Sequence, residues 1–301
     1  MGLVVKEFNN GDVIIKEGDM GRSIYRLVEG SADVITDHGT DDPFRLAVLN
    51  EGDYFGEMAI FEEYPRSATV VARGTVRAIE IPEGELNEFM TENPDVIIEL
   101  INHLGNKVQA MTNDYNEAEA LLNSLREADA GKKKSLFSKI KKHIDLYQSN
   151  KTEIAAPQED PIRQLYERIY RSGEHNVETY SGGSIIYREG DVSDSLYILH
   201  DGNVSIFSDY GSNAEQKIAD LTPVSVFGET GLITEEARSA TAVTSFGDTL
   251  IEIIRKEELE TIFNNCPEKI TLILRILSYR LRKLNIDFRA KCKEITENYG
   301  E

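Results

Sequence analysis

The chain repeats itself once. Residues 11–34 read GDVIIKEGDMGRSIYRLVEGSADV and residues 183–206 read GSIIYREGDVSDSLYILHDGNVSI. A shift of 172 positions lays Gly11 on Gly183, and Ile14, Glu17, Gly18, Asp19, Ser23, Tyr25, Leu27 and Gly30 then each meet their own kind. The same shift carries without a gap to GEMAIFEEYPRSATVVA over 56–72 and GETGLITEEARSATAVT over 228–244. There Gly56, Glu57, Glu63, Arg66, Ser67, Ala68, Thr69 and Val71 recur. Solenoid units repeat every ~20–45 residues. A period this long means two whole domains, and 301 residues are enough for both.

Each copy reads as short β-strands cut by glycine turns. Val13–Ile15, Ile24–Val28 and Ala32–Ile35 are β-branched or apolar runs, and Leu46–Leu49, Thr69–Ala72 and Val76–Ile81 continue them. Such evenly spaced strands predict a β-barrel of the jelly-roll or double-stranded β-helix kind. Gly18 and Gly30, with Gly190 and Gly202, are expected to take positive φ at turns. Beyond Asn93-Pro94 and Cys266-Pro267 the pattern becomes helical. The first apolar seam is Ile97, Ile101, Leu104, Val108, Met111, Tyr115, Ala118, Leu122 and Leu125, and the second is Ile270, Leu274, Leu277, Leu281, Leu284 and Phe288, interrupted at Lys291 before Ile295. The seams superpose under a shift of 173, which places a one-residue insertion near 82–86. The fold class is therefore α+β: two tandem β-barrel domains, each followed by a long helix. A heptad seam predicts either a homodimer through the long helices or a cover for each helix's own barrel. Gly105 weakens the first helix by about 1 kcal/mol relative to alanine and marks a place for it to bend.

The predicted division is a first domain at 1–125, a polar linker at 126–160 and a second domain at 161–301. The linker holds GKKKSLFSKIKKH (131–143), with six lysines and no acid. Leu136, Phe137, Ile140 and Ile144 share one helical face. That face fits an anionic partner or lipid headgroups, or a short helix lying on the protein's own acidic surface. Asp160-Pro161 reads as a cap and first helical position, for a helix running to about Arg171.

The formal net charge of −20 disfavours contact with nucleic acid. It leaves room for a small anion, because distant surface charge is screened within about 8 Å. Cys266 and Cys292 make neither a metal spacing nor a disulfide framework. With no signal peptide and no long apolar stretch, the expected location is the cytoplasm and no membrane span is expected. The five histidines are scattered, so no metal is expected. No Walker loop, dinucleotide fingerprint or nucleophile elbow occurs, so no catalysis is expected.

The repeated Gly-Glu, followed nine residues after the glutamate by Arg-Ser-Ala-Thr, carries the chemistry. A short helix beginning after Gly56-Glu57 would point free N–H groups back at the turn, a ready anion site. Arg66 would add a planar fork suited to phosphate, and Ser67 a hydroxyl. Glu57 would repel a lone phosphate. It makes sense as an acceptor for a sugar hydroxyl held beside the phosphate. Phosphate and ribose together describe a nucleotide.

This pattern resembles the phosphate-binding cassette of cyclic-nucleotide-binding domains, a family that includes the regulatory subunit of cyclic-AMP-dependent protein kinase, cyclic-nucleotide-gated channels and the bacterial catabolite activator. The resemblance covers most of 5–115 and 162–292. It implies Glu57 and Glu229 for the ribose 2′-hydroxyl and Arg66 and Arg238 for the phosphate. Gly56, Ala59 and Ser67, with Gly228, Gly231 and Ser239, would give backbone or hydroxyl contacts. Thr112 and Asn285 align where family members read the base, and Tyr115 or Phe288 would stack on it. The second copy departs at Thr222-Pro223 and at Val224, where the first has Gly52. The implied ligand is cyclic AMP, with cyclic GMP as the alternative. The implied function is a sensor that turns ligand binding into helix rearrangement and contact with a protein effector. The alternative is a ligand-free interaction scaffold. A DNA-binding role is not expected, because no helix-turn-helix follows the second helix.

Overall fold

The computed structural model describes residues 4–41, 43–57, 61, 65–127, 140–144, 159–171, 175–230, 232 and 237–299. The chain clusters into two compact units. One comprises Met1–Phe89, Asn113–Pro157 and Arg282–Glu301, and the other Met90–Thr112 and Gln158–Leu281.

In the first unit, β1 (Val4–Phe8), β2 (Val13–Ile15), β3 (Ser23–Thr36), β4 (Phe44–Leu49), β5 (Tyr54–Phe55) and β6 (Thr69–Pro82) form one antiparallel sheet ordered β1-β6-β3-β4. β2 joins it on β6 and β5 joins it on β3. Strands expected as pairs on either side of Gly30 and Gly74 run on as β3 and β6, 14 residues each, bridged by bulges. Tyr25, Leu27, Ala32, Phe55, Val70, Val76 and Ala78 pack between the strands as the core. Each large aliphatic side chain so buried contributes roughly 1.5–3 kcal/mol.

The second unit carries two four-stranded antiparallel sheets. They are built from β7 (Val177–Tyr180), β8 (Ile185–Tyr187), β9 (Ser195–Asp201), β10 (Val204–Ser208), β11 (Gln216–Leu221), β12 (Ser225–Phe227), β13 (Thr241–Thr244) and β14 (Thr249–Arg255). Their orders are β11-β10-β13-β8 and β12-β9-β14-β7. Here the strands do break, at Gly202 and at Phe246-Gly247. Gly30 and Gly202 both sit at positive φ (+90° and +84°), each pressed on the neighbouring backbone where a side chain would collide.

Register corrects the place of the inserted residue. The amides of Gly11 and Gly183 bond to the carbonyls of Ala72 and Thr244, still 172 apart, whereas Tyr25 faces Glu80 and Tyr197 faces Ile253, 173 apart. Gly74 and Gly247, both at positive φ, are already on the longer shift. The extra residue therefore lies in the Ser245-Phe246 turn and not near 82–86. A turn accommodates it because Phe246 projects entirely into solvent.

Each barrel runs into a 3-10 turn and helices: α1 (Leu86–Glu92) and α2 (Asp95–Glu127) in the first half, α4 (Leu259–Asn265) and α5 (Pro267–Tyr299) in the second, with α3 (Asp160–Tyr170) between. α2 runs unbroken through Gly105. Ile97, Ile101, Leu104, Val108, Ala118, Leu122 and Leu125 are buried within the single chain, as are Ile270, Leu274, Leu277 and Leu281. Within the first unit the C-terminal parts of α2 and α5 are tied by Arg126–Glu294 at 2.7 Å and Lys291–Glu119 at 3.1 Å. Lys291, which interrupts the seam, also lies over the Tyr115 ring. Of the basic segment only 140–143 falls among the described residues, in a helical turn over 140–144. Ile140 and His143 are buried there and Lys142 pairs with Glu117 at 2.9 Å. α3 departs from expectation at its start. Glu159 occupies the cap position, no side chain caps the helix, and Pro161 lies in the first turn.

A buried polar network stitches the second unit. Glu252 of β14 takes Lys269 of α5 at 2.5 Å and the Tyr170 hydroxyl of α3 at 2.7 Å. His200 of β9 lies 3.4 Å from the same carboxylate, and the Tyr166 hydroxyl meets its other ring nitrogen at 2.8 Å. Among the described residues no helix is long and apolar enough to cross a membrane. No cluster of His, Cys, Asp and Glu there suits a metal ion.

Candidate functional site

The repeated residues build the same bracket twice. In the first copy Gly56 follows β5 at φ +81°, where an added Cβ would stand 2.5 Å from Nη1 of Arg66. That absence of a side chain lets the Arg66 guanidinium donate to the Gly56 carbonyl at 2.5 Å and to the Ser23 carbonyl at 2.7 Å. The backbone of Arg66 is held as well: its N–H donates to Asp19 and its carbonyl accepts from Gly18, both at 2.9 Å. In the second copy Arg238 donates to Gly228 at 2.6 Å and Ser195 at 2.8 Å, and its backbone bonds to Asp191 and Gly190. Both arginines are buried.

The recurrence of Glu17 and Thr69 has the same explanation. The Thr69 hydroxyl accepts from the Glu17 N–H, and the Glu17 carboxylate accepts from the N–H of Asp37, held at φ +54° in the hairpin. Thr241, Glu189 and Asp209 reproduce both bonds. Asp37 thus supports a turn.

An arginine has five N–H donors, and the two carbonyls occupy one on each outer nitrogen. Nε of Arg238 is buried and has no hydrogen-bond partner. A buried cation with free donors fits an incoming anion. Burial lowers the pKa of Arg66, against the opposing charges of Tyr25, Glu57, Glu80 and Asp19. Tyr25 stacks on Phe55 at 5.3 Å and donates to Glu80 at 2.8 Å, and burial together with that carboxylate pushes its hydroxyl up to about 12.

Each expected acid lies within electrostatic range of its arginine. Glu57 and Glu229 are both buried. Glu57 acts electrostatically on Arg66, and Arg238 on Glu229. Burial raises the pKa of Glu229, while the charges of Arg280 and Arg238 and its own backbone N–H work the other way. Ser67 and Ser239 are exposed, and Ala59 and Gly231 lie outside the described residues. Thr112 is buried with its hydroxyl donated to the Val108 carbonyl at 2.7 Å. Thr112 clusters with the second barrel and Asn285 with the first, so neither shares a compact unit with the cassette of its own half. Phe288 packs edge-on to His143.

Four contributors escaped the sequence reading. Gly21 is one: a Cβ there would fall 1.9 Å from Nε of Arg66. Tyr187 is another, its ring 4.5 Å from the Arg238 guanidinium where the first copy has Ile15. The charge of Arg280 of α5 acts on Glu229, and Gly105 of α2 lies against Glu229. Gly21 and Tyr187 differ between the copies, so recurrence hid them. Arg280 and Gly105 come from helices distant in sequence.

A sequence model of the cyclic nucleotide-binding domain matches residues 5–93 and 177–266. The regulatory subunit of cAMP-dependent protein kinase from Dictyostelium discoideum is 25% identical over 252 residues, 83% of this chain and 62% of that protein. The cAMP-activated global transcriptional regulator CRP of Salmonella typhimurium is 26% identical over 137 residues, 42% of this chain and 65% of that protein. The chain thus spans less than two thirds of either relative. The regulatory domain of Toxoplasma gondii PKA, solved with cAMP, aligns over 89% of this chain and 82% of that one at 18% identity, with a TM-score of 0.28.

Proposed function

We propose that this chain, which belongs to the cyclic nucleotide-binding domain family, is a two-site sensor of a cyclic nucleotide with no catalysis of its own. Cyclic AMP is the ligand named for the relatives above, and cyclic GMP is the alternative. The carrying observation is the bracket built twice: a buried guanidinium braced by two carbonyls, within electrostatic range of a buried carboxylate. Arg66 and Arg238 take the exocyclic phosphate and Glu57 and Glu229 take the ribose 2′-hydroxyl. Gly56, Ala59, Ser67, Gly228, Gly231 and Ser239 line the phosphate.

The ligand acts by differential affinity for two arrangements. Ordering of the cassette shifts α1 or α4, and with it the long helix that follows. The output is contact with a protein effector in the cytoplasm. Most of the seam is already buried in one chain, so a homodimer through the long helices would use other faces or the half-buried seam positions Met111, Tyr115 and Leu284. For signalling the divisions are 1–125, 126–160 and 161–301.

Isothermal titration with a panel of cyclic nucleotides tests this, giving ligand and stoichiometry together. Arg66→Ala and Arg238→Ala should each remove one equivalent of binding, at a cost of about 2–5 kcal/mol. Unchanged affinity in the double variant would exclude the site. The scaffold reading predicts no rise in melting temperature at millimolar ligand, whereas a ligand of the native state must stabilise it.

A further inference from the structure

Glu229 is buried, approached closely by α2 and acted on by a charge of α5. From α5, Arg280 supplies the strongest favourable charge on the carboxylate and donates weakly to the Val226 carbonyl at 3.4 Å. From α2, the backbone at Gly105 comes so close that an added Cβ would stand 2.5 Å from Cγ of Glu229 and 3.5 Å from Oε1. Gly105 has ordinary helical backbone, so no unusual φ demands glycine there. A glycine inside a helix is unfavourable, and close approach is the remaining reason for this one. Around it Val96, Ile97, Leu100, Ile101, Leu104 and Val108 are buried, which seats this stretch of α2 firmly in the second unit.

We propose that α2 gates the second site, with the Gly105 backbone as the closing surface over Glu229. The gate rests on the reading of Glu229 as the ribose ligand. With α2 closed, the Gly105 backbone lies against the Glu229 side chain and shuts its carboxylate off from a sugar hydroxyl. Ligand binds once α2 draws back, so the apparent affinity of the second site is its intrinsic affinity reduced by the small open fraction. A side chain at position 105 destabilises the closed arrangement and leaves the open one untouched, because overpacking acts only where the surfaces meet.

The test uses the full chain carrying Arg66→Ala, which silences the first site, titrated calorimetrically with cyclic AMP with and without Gly105→Ala. The gate predicts roughly fivefold or greater tightening at the second site. Equal or weaker affinity overturns it. If Arg66→Ala binds nothing while the wild type binds one equivalent, the reading of the second site fails and the gate with it. Hydrogen exchange supplies an independent measure that needs no variant at 105. Saturating cyclic AMP should speed exchange of the amides over 100–112, and unchanged protection there overturns the gate.

Discussion

Glu252→Gln removes one charge from the centre of the second unit and nothing else of similar size. Burial by itself would raise the pKa of Glu252, but the close approach of His200, hydrogen bonds from Lys269 and Tyr170, and the charge of Lys269 hold it at about 2. Its ordinary value is 4.5. The gap of 2.5, at roughly 1.4 kcal/mol per pH unit, amounts to about 3 kcal/mol of folding stability. The folded-state pKa is depressed, so this stability is fully present above pH 4.5 and is lost as the pH falls through about 2. Independently, removing one partner of a buried ion pair costs about 3–5 kcal/mol, because the other charge is stranded. Here the stranded group is Lys269, itself buried. The two routes agree. Thermal melting of the wild type and the Gln variant reads the effect directly. Near pH 7 the variant's second-unit transition should fall by about 6–12 °C. The difference should close towards pH 2, where the wild-type carboxyl takes up its proton. The pH dependence decides the matter: a constant difference from neutral to acid pH would mean that Glu252 acts through shape and not through charge.

Gly56→Ala should destabilise the first barrel by about 1–3 kcal/mol and abolish binding at the first site only, since it combines positive φ with a clash on Nη1 of Arg66; titration of the variant should leave one equivalent. Tyr187→Ile gives the second copy the residue of the first and removes the ring over Arg238, which should weaken the second site by about fivefold, the equivalent of roughly 1 kcal/mol. Calorimetry showing unchanged affinity in that variant would mean the stacked ring contributes nothing to holding the guanidinium.

Periodic and local features were legible without coordinates. The shift of 172 marked two domains. The bounds of β2 match those expected, and both long helices begin at the expected Asn93-Pro94 and Cys266-Pro267 breaks. Gly56 and Arg66, with Gly228 and Arg238, were legible as recurring members of one short motif, whereas the bond from each arginine to its glycine's carbonyl was not. Strand continuity was less so: whether a chain bridges Gly30 or breaks at Gly202 depends on bulges in the partner strand. The cap at α3 was misread because Asp and Glu adjoin at 159–160 and composition does not choose between them.

By itself the amino-acid order determined the repeat, the strand and helix types and the residues of each bracket, because these depend on neighbours a few positions apart or on recurrence at a fixed shift. The tertiary structure alone decided what meets across long separations. It put residues 90–112 with the second barrel and 282–301 with the first, laid Gly105 on Glu229 and joined Tyr170, His200, Glu252 and Lys269. Burial of apolar area is not directional, so a heptad seam records that a helix will be covered without recording by what.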